Sequence, residues 1–388
     1  MKILKIRAEG ISLFKGTCEM DFTALQRVNA DNAEKMHPIF TTGGQTYYQN
    51  SVTSFIGINA SGKTTILRLI SFVFRLLNNE SINTFDNHGF FDKLTNKDVV
   101  TFDVYFFTSD GSIHLLHTTV CKNKEKLYIK DEYIKSKAAS KVKKKADLFD
   151  FDGIEPNITR NNDNAFLLDD VSICIALNKA NKDAIVYTDM IRYTDTNQLI
   201  VSEDCPVELI AFFDPSIEYL KINKTNKDPD IKLKFINDNE ILLHNMSELN
   251  KYLSSGTIKG INIFVNAISI FKTGGYLIID ELENHFNHEI VSTLIRFFMN
   301  NAINPKGATL LFSTHYAELL DEFDRNDNIF IVRNINGITV DNLSELLKRN
   351  DLNKSDIYQS DYLKGTAPMY DAYIKLKSRL LSSAKEEA

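Results

Sequence analysis

The stretch Phe55-Ile56-Gly57-Ile58-Asn59-Ala60-Ser61-Gly62-Lys63-Thr64-Thr65 carries the pattern G-x-x-x-x-G-K-[ST], and what flanks it decides how it reads. Upstream, Val52 to Ile56 reads as a buried strand; downstream, Ile66, Leu67, Leu69, Ile70, Val73 and Phe74 recur at helical spacing. A strand, a glycine-bounded turn and a helix in that order make a phosphate-binding loop. Gly57 and Gly62 let the backbone curl so that its N–H groups and the helix N-terminus face an anion. Lys63 then reaches the β and γ oxygens of a nucleoside triphosphate, and the Thr64 hydroxyl can ligate Mg²⁺. The predicted ligand is a nucleoside triphosphate with Mg²⁺, contacted by Gly57, Asn59, Ala60, Ser61, Gly62, Lys63, Thr64 and Thr65.

A second signal lies far along the chain. Tyr276-Leu277-Ile278-Ile279 is an apolar strand that ends in Asp280 and Glu281, after the turn Gly274-Gly275. This is the form of a Walker B segment. Beside the phosphate loop, Asp280 would hold the Mg²⁺ shell and Glu281 would act as general base on the attacking water. Upstream, Leu253-Ser254-Ser255-Gly256-Thr257 precedes a helical period of Ile258, Ile261, Phe264, Val265 and Ile268. Small polar residues before a helix also serve as a plain cap. Here, however, one helix separates them from Asp280. Further on, Leu310-Leu311-Phe312-Ser313-Thr314 is another apolar strand, ending in His315.

The N-terminal strand with Ile11-Ser12-Leu13-Phe14-Lys15, the phosphate loop, L-S-S-G-T, L-I-I-D-E-L-E-N and F-S-T-H together resemble the ABC-type ATPase heads of the SMC/RecF/OLD group. Within it the chain looks most similar to stand-alone ATPases of bacterial anti-phage operons, such as those of the AbiL, Septu and PARIS systems. Tyr362-Leu363-Lys364-Gly365-Thr366-Ala367-Pro368 is similar to a tail segment of those proteins. The resemblance implies an α/β P-loop fold and a homodimer or higher homo-oligomer that closes around ATP. Ser254, Ser255 and Gly256 would complete the partner's site. Lys63, Glu281 and His315 would be the catalytic groups, with His315 touching the γ-phosphate and Thr64 and Asp280 on the metal. It also implies a sensor or scaffold role for a separate effector, a nuclease or toxin, in defence. The alternative is a repair or recombination ATPase acting directly on DNA. ABC-type heads carry a glutamine between the first motif and the signature. The one Gln there is Gln198, in a polar, turn-like neighbourhood.

The resemblance covers roughly residues 1–75 and 245–370, and the expected ATPase core is residues 1–75 and 245–388. Between them, residues 76–244 lack the sustained heptads of a long coiled-coil arm. Val99 to Phe107, Ser112 to Cys121 and Lys126 to Tyr133 alternate as strands of a β lobe, and Ser140 to Thr159 reads as loop or short helix. Residues 160 to 250, with Pro206, Pro215 and a polar stretch from Asn223 to Asp230, read as a helical lid or partner-docking insertion. Lys135, Lys137, Lys141, Lys143, Lys144 and Lys145 concentrate positive charge that could attract a phosphate backbone, although such runs are commonly solvated.

With 388 residues and 43% hydrophobic content the chain can bury a large core. Its net charge of −6 gives no global pull toward nucleic acid. The start, Met1-Lys2-Ile3-Leu4-Lys5-Ile6-Arg7, alternates as a strand and lacks the apolar run of a signal peptide, and no membrane-spanning stretch is evident, so the expected location is the cytoplasm. Cys18, Cys121, Cys174 and Cys205 are scattered, as reduced thiols are. His285 and His288 with Glu283 and Glu289 have metal-ligand residue types, but they fall where a loop facing a dimer partner is expected.

Overall fold

The computed structural model describes residues 1–84, 90–124, 126–160, 167–181, 183–193, 196–200, 205–224, 229–284, 286–368 and 370–386. It is a mixed α/β protein built on two six-stranded sheets. The first runs Tyr187–Asp189, Tyr276–Ile279, Thr309–Thr314, Val52–Ile56, Ile329–Asn334, Ile338–Asn342 in spatial order. Its first five strands are parallel and the last is antiparallel. The central strands are buried on both faces, so Val52–Ile56 and Thr309–Thr314 show no alternation, and Thr53, Ser54, Ser313 and Thr314 are as buried as their apolar neighbours.

The second sheet is antiparallel throughout, in the order Cys18–Asp21, Lys2–Glu9, Val99–Phe107, Ser112–Asn123, Lys126–Ala138, Ile158–Thr159. The helix Lys63–Leu77 is packed between the two sheets: Ile66, Leu69, Ile70 and Val73 share one core with Ile6, Phe102 and Val104 on one side and Phe55, Leu311 and Phe330 on the other. On the opposite face of the parallel sheet, the helices Ser255–Thr273 and His288–Phe298 cover Val52, Ile56, Leu277, Ile279, Leu310 and Phe312. Alternate residues of one strand thus feed two cores.

The N-terminal strand Lys2–Glu9 pairs with Val99–Phe107, so the chain start and the strands of the expected β lobe form a single sheet. The insertion read as helical holds short helices, Cys174–Asn181 and Val207–Phe213, together with an antiparallel sheet of Ile217–Lys224, Pro229–Phe235 and Ile241–Leu243. Its apolar positions at Leu220, Ile222, Ile231, Leu233 and Leu243 bury one face against Ile258 and Ile261, a period of two that short segments hid. Residues 225–228, inside the polar stretch from Asn223 to Asp230, lie outside the described residues. Ser140 to Thr159, read as loop or short helix, holds 3₁₀ turns and a two-residue strand. Among the described residues, no helix is long and apolar enough to cross a membrane.

Candidate nucleotide site

Parallel pairing fixes where the motifs meet. Ile279 pairs with Phe312, and Ser313 and Thr314 pair with Phe55 and Ile56. The carboxyl ends of three adjacent strands therefore open at one edge and deliver the phosphate loop, Asp280–Glu281 and His315 to the same crevice.

The loop itself needs its glycines. A Cβ on Gly57 would lie 2.4 Å from the Val332 carbonyl oxygen, and one on Gly62, at φ +105°, would lie 2.5 Å from Ile338. Ala60 also sits in the left-handed region, at φ +62°, and its carbonyl accepts a bond from Asn334. The Lys63 ammonium bonds the carbonyls of Gly57 at 2.8 Å and Ile58 at 3.2 Å, closing the loop on itself. Burial lowers the Lys63 pKa, and the nearby charges of Glu281, Asp280 and Glu283 act in the opposite direction. Ser61 is buried with its hydroxyl unpartnered, beneath the curl of the loop. Thr65 follows in the first turn of the helix.

Across the crevice, the Thr64 hydroxyl donates to Asp280 Oδ2 at 2.7 Å, and the Ser313 hydroxyl donates to Asp280 Oδ1. Ser313 also receives the Glu281 N–H at 2.8 Å. An all-oxygen pair of Thr64 and Asp280 beside a backbone-lined anion cradle is the donor set Mg²⁺ prefers, so these residues fit an Mg-nucleotide. Glu281 stands at φ +46°, a conformation that ordinary side chains rarely adopt. The turn aims its carboxylate toward Asn284, whose Nδ2 donates to Oε2 at 2.6 Å. The His315 main-chain N–H donates to Glu283 Oε1 at 2.8 Å, and its Nδ1 lies 2.8 Å from the same oxygen.

Beside this crevice lies a cleft of about 990 Å³ whose lining includes Asn59, His315, Tyr358, Thr366 and Pro368. Its far wall is the tail segment. Asp361 Oδ1 accepts from the N–H groups of Thr366 and Ala367, and the Thr366 hydroxyl donates to the Tyr358 carbonyl at 2.6 Å. Three residues at positive φ, Asp361, Lys364 and Gly365, fold this loop tightly.

Other predicted positions fall elsewhere. Ser254 is the N-cap of the helix Ser255–Thr273, accepting the Thr257 N–H at 3.0 Å, with Ser255 and Gly256 half-buried in the first turn. One turn on, Lys259 approaches the Glu281 carbonyl at 3.4 Å. Among the described residues, no hydrogen bond joins Ser254 to the phosphate loop. Gln198 is exposed, and its carbonyl accepts from Asn262. The strand beside Walker B ends instead at Asp189, whose carboxylate accepts from Ser71 of the phosphate-loop helix. Sequence reasoning missed that strand because three residues carry no periodicity; the apolar pair Ile185-Val186 before it was the available signal. Glu283 and Asn284 were also missed as orienting groups, although both stand inside the quoted Walker B stretch. His285 lies outside the described residues, and His288 shares a hydrogen bond with Ser292.

A family model described as "AAA domain, putative AbiEii toxin, Type IV TA system" matches residues 52–321, from the strand before the phosphate loop to just beyond His315. No curated protein matches the chain.

Proposed function

We propose, on the premise that this chain belongs to that family of AAA domains, that it binds and hydrolyses ATP as an ABC-type head of the SMC/RecF/OLD kind. The observation that carries the hydrolytic reading is the meeting of Thr64, Asp280, Glu281 and His315 at the ends of three neighbouring parallel strands. Lys63 would leave its loop carbonyls for the phosphate oxygens, exchanging neutral acceptors for anionic ones. Thr64 and Asp280 would hold Mg²⁺, which supplies charge neutralisation on the phosphates when bound. Glu281, oriented by Asn284, would accept the proton of the attacking water, while His315 would face the γ-phosphate.

Two protomers would then sandwich two nucleotides, with Ser254 and Gly256 of one completing the site of the other; the helix N-terminus behind Ser254 supplies the positive end such a contact needs. In this reading the nucleotide cycle regulates a separate effector, a nuclease or toxin, in anti-phage defence. The family description supports the abortive-infection setting.

Two substitutions test the chemistry. Lys63→Ala removes phosphate neutralisation, and ATP affinity should fall by about 100-fold or more. Glu281→Gln removes only the base and should keep affinity while cutting turnover by about 100-fold or more. Nucleotide titration and steady-state phosphate release on both variants separate the two effects; wild-type turnover by Glu281→Gln would remove that residue from the mechanism.

A further inference from the structure

We propose that Glu283, two residues beyond the general base, is the positioning residue that fixes His315. The inference rests on the reading of His315 as the γ-phosphate-facing group. The chain reverses at Glu281, and the next N–H, that of Leu282, donates to the Ser313 carbonyl at 3.1 Å. Residue 283 is thereby set against the exit of the Thr309–Thr314 strand. There Glu283 is 2% exposed, and a single oxygen, Oε1, accepts the main-chain N–H of His315 at 2.8 Å and also lies 2.8 Å from its Nδ1. The other oxygen, Oε2, is buried without a partner.

A buried carboxylate with an orphaned oxygen costs stability, and an apolar side chain of similar volume would pack there more favourably. What the carboxylate does in return is geometric. Held by Glu283, Nδ1 carries its proton inward, which turns Nε2 toward the cleft that His315 shares with Ile58 and Asn59, where it donates to a phosphate oxygen once it too carries a proton. The imidazole is 35% exposed and would otherwise sample several rotamers and both tautomers. The neighbouring Asn284 acts in parallel on Glu281. Two consecutive residues thus orient the two groups flanking the reacting phosphate.

The test uses Glu283→Met, which preserves volume without an acceptor, Glu283→Gln, which keeps an acceptor oxygen, and His315→Ala alone and combined with Glu283→Met. If Glu283 acts through His315, Glu283→Met lowers kcat about 10- to 100-fold with the KM for ATP changed less than about threefold. Glu283→Gln recovers most of that loss, and Glu283→Met adds nothing once His315 is alanine. ¹⁵N imidazole spectra, which need no turnover, should show one Nδ1–H tautomer for His315 in the wild type and in Glu283→Gln, and a mixture in Glu283→Met. A failure of the ATPase reading would appear as absent wild-type turnover with these spectra unchanged. An unaltered tautomer in Glu283→Met, or a fully additive loss in the double variant, overturns the positioning role.

Discussion

At the scale of single residues, burial decides which side chains hold structure and which remain for chemistry. His114 is 2% exposed, packed on Phe106 and bonded at both ring nitrogens, to Thr108 at 2.8 Å and Ser136 at 2.7 Å. Burial pushes its pKa down to about 4, against the pull of Asp110 and Asp183. His37 is lowered to about 4 as well, by burial and then by Lys2. A folded-state pKa below the ordinary value near 6.5 means the unfolded chain binds more protons between those limits. The stabilisation is complete above pH 6.5 and is lost as pH falls through 4. Moving from pH 7.5 to pH 5 should therefore cost about 1–2 kcal/mol through His114. Urea midpoints at the two pH values, in wild type and His114→Gln, read this; an equally steep acid limb in the variant would remove His114 as its source.

Among the elements, the strand pairings place the site, and the lysine-rich segment shows how contacts change the meaning of a charge run. Lys137 is buried, with its ammonium bonded to the carbonyls of Asp147 and Asp150 and lying over the Phe151 ring. Lys145 bonds the Ala24 carbonyl. Burial lowers both pKa values. Lys141, Lys143 and Lys144 remain exposed. If the chain acts directly on DNA, replacing these three with Gln should reduce the slope of log affinity against log salt by up to about 3. Fluorescence anisotropy with a short duplex, at low salt and with or without ATP, measures it. Absence of wild-type binding would end the DNA-acting reading, while the defence reading predicts little dependence on these lysines.

For the whole molecule, the decisive prediction concerns assembly. Gly256→Asp would set a carboxylate against the phosphate held by a second protomer, a like-charge contact costing on the order of 1–4 kcal/mol. In saturating ATP·Mg²⁺, Glu281→Gln should form dimers or larger oligomers, and adding Gly256→Asp should weaken them at least about tenfold while leaving ATP affinity nearly intact. Light scattering with parallel nucleotide titration distinguishes the two; unchanged assembly would make Ser254–Gly256 a helix cap alone. The sequence by itself determined the phosphate loop, the Walker B strand and the strand before His315, because each is a local pattern: glycines where a Cβ cannot fit, and apolar runs at positions buried on both faces. It could not determine that Lys2–Glu9 belongs to the second sheet, that residues 217–243 form strands, that Glu283 grips His315, or that the Tyr358–Pro368 tail walls the cleft. Apart from the strands of residues 217–243, which pair over 5 to 18 positions, those outcomes depend on contacts between residues tens to hundreds of positions apart, and pairing energy is not written in any one segment. Only the folded chain chooses which segments meet.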